Sequence, residues 1–368
     1  MKLRFNRQEM AEALSAICSV VAARTPKPVL QCVRIDARPD VVLLSATDLE
    51  LGLRCSVMQV EVDEPGETLA AADTLARIVR ECEDEVLSIE TTETMLQVRG
   101  AGSHFQIVSQ DVADFPPVPT TQDAPGFTIE LSAIKRLIEW TAFASAREST
   151  RYAINGVLWE IEGDRLTLAA TDGRRLSVAH APLASRGSTT TTVSIVPTKA
   201  LALIARLPAD PEAPVGVNMS TNQLLVRAGG AIVSTSLVEG NFPNYQDVMP
   251  TDCDREMVVS TSAFLGALRR AALLTNEESK GVRLRVTEGE LTLTSRAPEQ
   301  GEATVSLPIS YSGEPLEIGF NPVFLLDVLK VAHTEEITLL LKSSERPGVI
   351  RLGEEFVYVV MPVNLESA

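Results

Sequence analysis

The chain of 368 residues carries a formal net charge of −16 at pH 7 and is 45% hydrophobic, 22% charged and 4% aromatic. This length exceeds one ordinary core and predicts two or three domains with aliphatic interiors. No apolar run approaches about 18 residues and no secretory signal is present, which argues against a membrane span and predicts a cytoplasmic protein. Five scattered cysteines and three single histidines predict free thiols and neither disulfides nor a metal site.

The hydrophobic patterns predict the same succession of elements three times along the chain. In each pass a short strand precedes a helix, and alternating strands, a second helix and further strands follow. Asp73 and Ser132 are candidate N-caps because such side chains can accept the first free amides of a helix. The helices are expected at residues 7–24, 73–82, 132–147, 198–206, 261–275 and 321–333.

Two markers support the repeat. Residues 42–53, VLLSATDLELGL, and residues 166–178, LTLAATDGRRLSV, both predict strand, tight turn and strand around Ala-Thr-Asp. Phe-Pro pairs end the first two passes at residues 115–116 and 242–243. The separation between these two pairs is close to the separation between the two Ala-Thr-Asp segments. In the third pass, residues 291–295 occupy the place of this turn without its motif. The chain is therefore predicted to repeat one kind of domain.

The repeat predicts an α+β fold of three similar domains, each with two helices packed on antiparallel sheets and roughly eight strands. The domains are expected at residues 1–120, 127–250 and 251–368. These limits follow from linkers near residues 116–126 and 250–255, where Pro, Asp and Thr accumulate.

Positive charge is concentrated in the predicted helices. With the limits given above, the six helices contain twelve Lys and Arg and six Asp and Glu, so they carry +6 and the rest of the chain carries −22. A surface formed by these helices could therefore attract phosphates through salt-dependent contacts while the exterior repels them. The alternative is that Lys and Arg simply favour helices on solvated faces.

Five segments spread over the chain resemble the bacterial sliding clamp family, the beta subunits of DNA polymerase III. They are RYAINGVLWE at 151–160, LAATDGRRLSV at 168–178, EGNFPNYQDVMP at 239–250, NEESKGVRL at 276–284 and YVVMPVNL at 358–365. The resemblance implies a non-catalytic processivity factor without a cofactor, whose three clamp-type domains pair head to tail in a homodimer. The dimer would form a closed ring around double-stranded DNA and contact it independently of sequence.

The resemblance also implies partners and site residues. The DNA polymerase III alpha subunit, the clamp loader, and other polymerases and repair proteins would insert a hydrophobic peptide into a pocket with apolar walls and a flexible Met. The matching pocket positions are Ile154, Thr171, Gly173, Arg174, Arg175, Leu176, Pro243, Val248, Val359, Met361, Pro362 and Val363. The matching DNA-binding positions are Arg24, Glu148 and Tyr152, with Arg147, Lys199 and Arg270 as additional contacts. Val363, Asn364 and Asp247 depart from residues common in the family, which leaves the peptide preference open.

Two other functions compete with this hypothesis. Asp172 beside Arg174 and Arg175 could act as an acid with phosphate clamps, but no second carboxylate, nucleophile–base pair or Gly-rich phosphate loop accompanies it. The other alternative is a repeat-built protein-interaction scaffold that does not encircle DNA. Retention on a circular plasmid and release after its linearisation would distinguish a ring from such a scaffold.

Overall fold

The computed structural model describes residues 1–22, 24–120, 123–147, 153–187, 192–275, 281–297 and 300–364. The chain divides into two compact units. Unit 1 comprises Met1–Lys135 and Leu183–Val238, and unit 2 comprises Arg136–Pro182 and Glu239–Ala368. In the described ranges, no helix is long and apolar enough to cross a membrane.

Six α-helices confirm the predicted number and order in the part of the chain that the structure describes. All six end earlier than the pattern predicts, and α1 for example ends at Cys18 instead of residue 24. After α3 and after α5 the chain tightens into a 3₁₀ turn, Ala142–Ala144 and Ala272–Leu274, and at the end of α3 the Thr141 hydroxyl also donates to the carbonyl oxygen of Leu137 (2.7 Å). The helices are α1 Arg7–Cys18, α2 Ala72–Glu81, α3 Leu131–Thr141, α4 Thr198–Ile204, α5 Thr261–Ala271 and α6 Pro322–Val331.

The predicted N-caps Asp73 and Ser132 are wrong. Helices α2 and α3 begin one residue before them, because each helix follows directly from a strand and leaves no residue between. Asp73 lies in the first turn of α2, where its carboxylate pairs with Arg77 four residues later (3.1 Å). By contrast, Asn6 caps α1 by accepting the amide of Glu9 (3.1 Å).

The strands form sheets with antiparallel pairing. In unit 1, one sheet has five strands in the order β5-β1-β7-β8-β9 and another has nine in the order β14-β10-β16-β17-β18-β4-β3-β2-β6. Unit 2 contains the order β11-β12-β13-β26-β25-β24-β19 and a four-stranded sheet, β22-β21-β20-β23. The strands are β1 Lys2–Asn6, β2 Cys32–Arg38, β3 Val41–Thr47, β4 Leu51–Val57, β5 Val60–Glu64, β6 Gly66–Ala71, β7 Val86–Thr91, β8 Met95–Arg99, β9 His104–Val108, β10 Phe127–Glu130, β11 Gly156–Glu162, β12 Arg165–Thr171, β13 Arg175–Pro182, β14 Ser185–Arg186, β15 Val193–Pro197, β16 Pro214–Met219, β17 Gln223–Ala228, β18 Ala231–Ser236, β19 Arg255–Ser260, β20 Val282–Thr287, β21 Glu290–Ala297, β22 Gly301–Pro308, β23 Leu316–Phe320, β24 Glu336–Leu341, β25 Gly348–Leu352 and β26 Phe356–Val360.

The interior is aliphatic, as the composition predicts. Along β2, Val33, Ile35 and Ala37 are buried and alternate with charged residues on the other face. Helix α1 buries Met10 and Leu14, which are one turn apart on the same side of the helix. Full burial of such side chains contributes about 1.5–3 kcal/mol each, so these faces hold helices and sheets together.

The two Ala-Thr-Asp segments form the same hairpin turn. The Thr171 hydroxyl oxygen accepts the amide of Gly173 (3.1 Å), and Thr47 accepts the amide of Leu49 in the same way (3.0 Å). Gly173 has φ 85° and Leu49 has φ 83°, so both turns use the left-handed backbone region. The predicted strand, turn and strand are therefore confirmed in both copies.

Candidate functional site

The turn between β12 and β13 is fixed by its own side chains. The Asp172 carboxylate oxygen Oδ1 accepts the amides of Arg174 (3.0 Å) and Arg175 (3.1 Å). The Thr171 hydroxyl donates to the carbonyl oxygen of Arg175 (2.6 Å). Gly173 is exposed, and nothing lies within 4 Å of the position that a Cβ atom would take there. The turn therefore presents a short open backbone segment at the end of the hairpin.

The C-terminal segment runs beside this turn and is held at two points. The amide of Met361 donates to the carbonyl oxygen of Arg174 (2.9 Å), and the amide of Val363 donates to that of Gly319 on β23 (2.9 Å). The Met361 side chain is 46% exposed, and Pro362 and Val363 are half-buried. Apolar side chains are thus displayed on a backbone that is anchored on both sides.

The Arg175 side chain makes hydrogen bonds, ion pairs and a ring contact within the site. Its guanidinium donates to the carboxylates of Asp172 (3.0 Å) and Asp327 (2.8 Å). It also donates to the carbonyl oxygen of Phe143 (2.8 Å) and stacks 4.6 Å from the centre of the Phe324 ring. Only 9% of the side chain is exposed. Arg175 therefore ties the hairpin to α6 and to the chain that follows α3.

The charges around Arg175 compensate for its burial. Burial lowers the pKa of Arg175, but Tyr358, Asp327 and Asp172 raise it by more, so the pKa of the guanidinium lies above its ordinary value. Burial raises the pKa of the Tyr358 phenol, which donates to the carbonyl oxygen of Phe324 (2.9 Å). The cluster therefore keeps Arg175 charged.

Nine of the predicted pocket positions lie in the turn, on β13 and β26, or in the C-terminal segment. The remaining three, Ile154, Pro243 and Val248, lie in other segments of unit 2. Val248 is 59% exposed in the 3₁₀ turn Tyr245–Val248. That turn is attached to β11 because the Tyr245 hydroxyl donates to Glu160 (2.9 Å).

Sequence reasoning missed the side chains that surround Arg175. Phe143, Phe324, Asp327 and Tyr358 come from segments far apart in the chain, so no local motif joins them. One signal was available, because Asp327 is the single carboxylate within the apolar segment of α6, PVFLLDVLKV.

A cavity of about 480 Å³ adjoins the C-terminal segment. It is lined by Pro362, Val363 and Asn364 together with Arg283, Glu317, Ile318, Gly319, Ser344 and Glu345. Its polar lining contrasts with the apolar side chains of Met361 and Leu176. In the described residues, no group of His, Cys, Asp and Glu has the arrangement of a metal site.

Fewer of the predicted DNA-binding residues lie on helices than the sequence predicts. Lys199 on α4 and Arg270 in the last turn of α5 are exposed. Arg24 and Arg147 are also exposed, but they lie beyond the ends of α1 and α3. Glu148 and Tyr152 lie outside the described residues. With the observed limits, the helices contain nine Lys and Arg and six Asp and Glu, so their net charge is +3 and the expected +6 is wrong.

Comparison with protein families matches nearly the whole chain. Three models of the DNA polymerase III beta subunit match in order, the N-terminal domain at residues 1–119, the central domain at 128–244 and the C-terminal domain at 246–364. The chain belongs to the DNA polymerase III beta subunit family. The resemblance seen in the sequence is thereby confirmed, and the chain functions as a sliding clamp.

Other sliding clamps are similar over their full length. The beta sliding clamp of Escherichia coli K12 is 33% identical over 99% of this chain and 100% of the relative. That of Chlamydia pneumoniae is 33% identical over 100% of both chains. A Pseudomonas aeruginosa sliding clamp crystallised with bound griselimycin has a TM-score of 0.92 at 33% identity, over 99% of this chain and 100% of that one. The fold of three clamp-type domains, with six helices and antiparallel sheets, is confirmed.

Proposed function

We propose that two copies of this sliding clamp join head to tail into a closed ring that encircles double-stranded DNA. The ring acts as a non-catalytic processivity factor in the cytoplasm and tethers polymerases to their template. Its domains are assigned to residues 1–120, 127–250 and 251–368. The observation that carries the proposal is a pair of sheet edges, one in each unit.

The five-stranded sheet of unit 1 ends at β9, and the four-stranded sheet of unit 2 ends at β22. A strand edge offers unpaired backbone groups to another chain unless it is covered or charged. At the opposite ends of these sheets, β5 carries three carboxylates in VEVDE, and β23 accepts the amide of Val363. Strand β9, HFQIV, has no carboxylate, and β22 has one. Edges β9 and β22 are therefore the better candidates for pairing between copies.

Exposed apolar side chains accompany both edges. Val108 on β9 is 68% exposed, and Leu273, in the 3₁₀ turn that packs beside β22, is 75% exposed. Pairing β9 of one copy with β22 of its partner would cover them and would make a sheet of nine strands, the number in the large sheet of unit 1. This contact joins different surfaces, and two such contacts close a ring of two copies.

Encirclement makes strong DNA contacts unnecessary. A closed ring cannot leave a duplex sideways, so weak phosphate contacts are sufficient and sliding stays easy. The helices carry +3 on a chain of −16, and Lys199 and Arg270 are exposed on them. We assign sequence-independent phosphate contacts to this surface.

The turn and the C-terminal segment form the partner groove. Met361 and Val363 provide apolar contacts for a hydrophobic peptide, and the adjoining Arg174 is exposed, whereas Leu176 is only 3% exposed. The alpha subunit of DNA polymerase III, the clamp loader, and other polymerases and repair proteins are the proposed occupants. Griselimycin bound to the P. aeruginosa clamp supports a ligand site on this family of proteins.

Light scattering tests the ring. The protomer mass is 39.7 kDa, so the proposal predicts a particle of twice that mass at micromolar concentration. A particle of 39.7 kDa across the accessible concentration range would contradict it.

A further inference from the structure

We propose that Asp327 is a positioning residue of the peptide groove. It holds Arg175, and through Arg175 it holds the turn to which the C-terminal wall of the groove is bonded. This inference rests on the proposed function of the groove. It adds a residue on α6 that the family resemblance did not supply.

The Arg175 guanidinium is already bonded within the protein. Its nitrogens bond to Asp172, to Asp327 and to the carbonyl oxygen of Phe143, and its central carbon lies 4.6 Å from the centre of the Phe324 ring. Three of its five N–H groups are thus bonded and the side chain is 9% exposed, so little of it is open to a ligand. Arg175 therefore acts on a bound peptide through the wall that it holds.

Hydrogen bonds connect Arg175 to the C-terminal wall of the groove. Asp172 accepts both the backbone amide and the side chain of Arg175, so the guanidinium and the turn share one carboxylate. The carbonyl oxygen of Arg174, in the same turn, accepts the amide of Met361. A displacement of the guanidinium is thus transmitted through three hydrogen bonds to the first residue of the C-terminal segment.

Unit 1 contains the same backbone frame, in which a segment beside the hairpin turn is held by one amide bond to the turn and one to a neighbouring strand. There the amide of Ser236 donates to Glu50 (2.8 Å), as Met361 does to Arg174. The amide of Val238 donates to the carbonyl oxygen of Ile195 on β15 (2.9 Å), as Val363 does to Gly319 on β23. The hairpin turn of this frame is the matching Thr-Asp turn described above.

The side chains at the two key positions differ between the frames. Leu51 follows the turn in unit 1 where Arg175 follows it in unit 2, and Leu203 is the sixth residue of α4 as Asp327 is the sixth of α6. Both leucines are buried, at 6% and 5% exposure. The frame therefore forms without an ion pair, and the structure assigns the Arg175–Asp327 pair to the groove and not to the fold as such.

The pair is buried enough for its loss to matter. The side chain of Asp327 is 21% exposed and that of Arg175 is 9% exposed. Removing Asp327 leaves Arg175 with Asp172 as its remaining carboxylate partner, and breaking such a buried contact costs more than breaking an exposed pair. Asp327 also pairs with Lys330 (3.1 Å), but Lys330 is 53% exposed, so that pair contributes little.

The test compares three variants of the full-length protein by fluorescence polarisation with labelled griselimycin. Asp327→Asn keeps the shape but removes the charge, and it is expected to weaken binding by about tenfold. Asp327→Glu restores the carboxylate and is expected to bind within about threefold of the wild type. The matched control Lys330→Gln removes the exposed partner of the same carboxylate and is expected to bind within about twofold.

Amide hydrogen exchange distinguishes positioning from general loss of stability. In Asp327→Asn, the Met361 amide should exchange faster, while the Val363 amide, anchored separately on Gly319, should keep its wild-type rate. The inference would be overturned, with the groove itself untouched, by any of three results. These are wild-type griselimycin affinity in Asp327→Asn, a loss of affinity in Lys330→Gln equal to that in Asp327→Asn, or equally faster exchange of the Met361 and Val363 amides in Asp327→Asn. A wild-type protein that does not bind the probe would overturn the proposed groove as well.

Discussion

The ring proposal predicts that two exposed side chains hold the copies together. The variant Val108→Ser, Leu273→Ser changes one side chain at each edge. Both residues are mostly exposed, so neither substitution should disturb the fold of its own unit. In the dimer, each interface should lose one apolar contact from each partner.

The size of the effect follows from the exposed fractions. Full burial of a Val or Leu side chain contributes about 1.5–3 kcal/mol, and 68% of Val108 and 75% of Leu273 remain to be buried. These fractions give about 1 kcal/mol for Val108 and about 2 kcal/mol for Leu273, or about 3 kcal/mol per interface. A ring of two copies has two equal interfaces, so the dimer should lose about 6 kcal/mol, or about four powers of ten in its dissociation constant.

Sedimentation velocity over a dilution series measures this constant. The double variant should sediment as a 39.7 kDa monomer where the wild type remains a dimer. The matched control is Val86→Ser, Val323→Ser, whose valines are 55% and 54% exposed but lie on the inner strand β7 and on α6. A shift of less than about tenfold in the variant, or an equal shift in the control, would refute the assigned edges.

Three further predictions concern the groove and its supports. Gly173→Ala should lower the free energy of unfolding in urea by about 1 kcal/mol, because a φ of 85° is unfavourable for alanine. A Cβ atom meets no neighbour at Gly173 or at Gly102, so Gly102→Ala is the matched control and should not lower it. Deleting residues 361–368 should abolish griselimycin binding and leave the dimer intact, and unchanged affinity would refute the placement. Burial and the bond to Glu160 raise the pKa of Tyr245 to about 12, so its stabilising contribution should be lost as the pH rises from 10 toward 12. Tyr245→Phe should reduce this loss in alkaline unfolding, and an identical pH profile would contradict it.

Turn chemistry explains what the sequence could predict. Thr171, Asp172 and Gly173 make their contacts within a few residues, so the motif contains everything needed to define the turn. Strand alternation and helical spacing are local in the same sense. They account for the correct number and order of helices in the described residues and for the α+β class.

The rest depends on contacts that no local pattern contains. The pattern of α3 continues past Thr141, but the backbone changes there from an α-helix to a 3₁₀ turn, as it does after α5. Arg175 meets Asp327 152 positions away, and the carbonyl oxygen of Phe143 has no residue-specific signature. Misplaced helix ends also doubled the predicted helix charge, because Arg24, Arg147 and Arg206 lie beyond them.

The central claim is that the protein holds DNA by surrounding it, and DNA topology tests this most directly. The protein is loaded by a bacterial clamp loader onto a nicked circular plasmid and separated from free protein by gel filtration. Its retention is followed before and after a single cut by a restriction enzyme. The ring predicts retention on the circle at salt concentrations that abolish phosphate contacts, and rapid loss from the linear form. Equal retention on both forms would contradict encirclement.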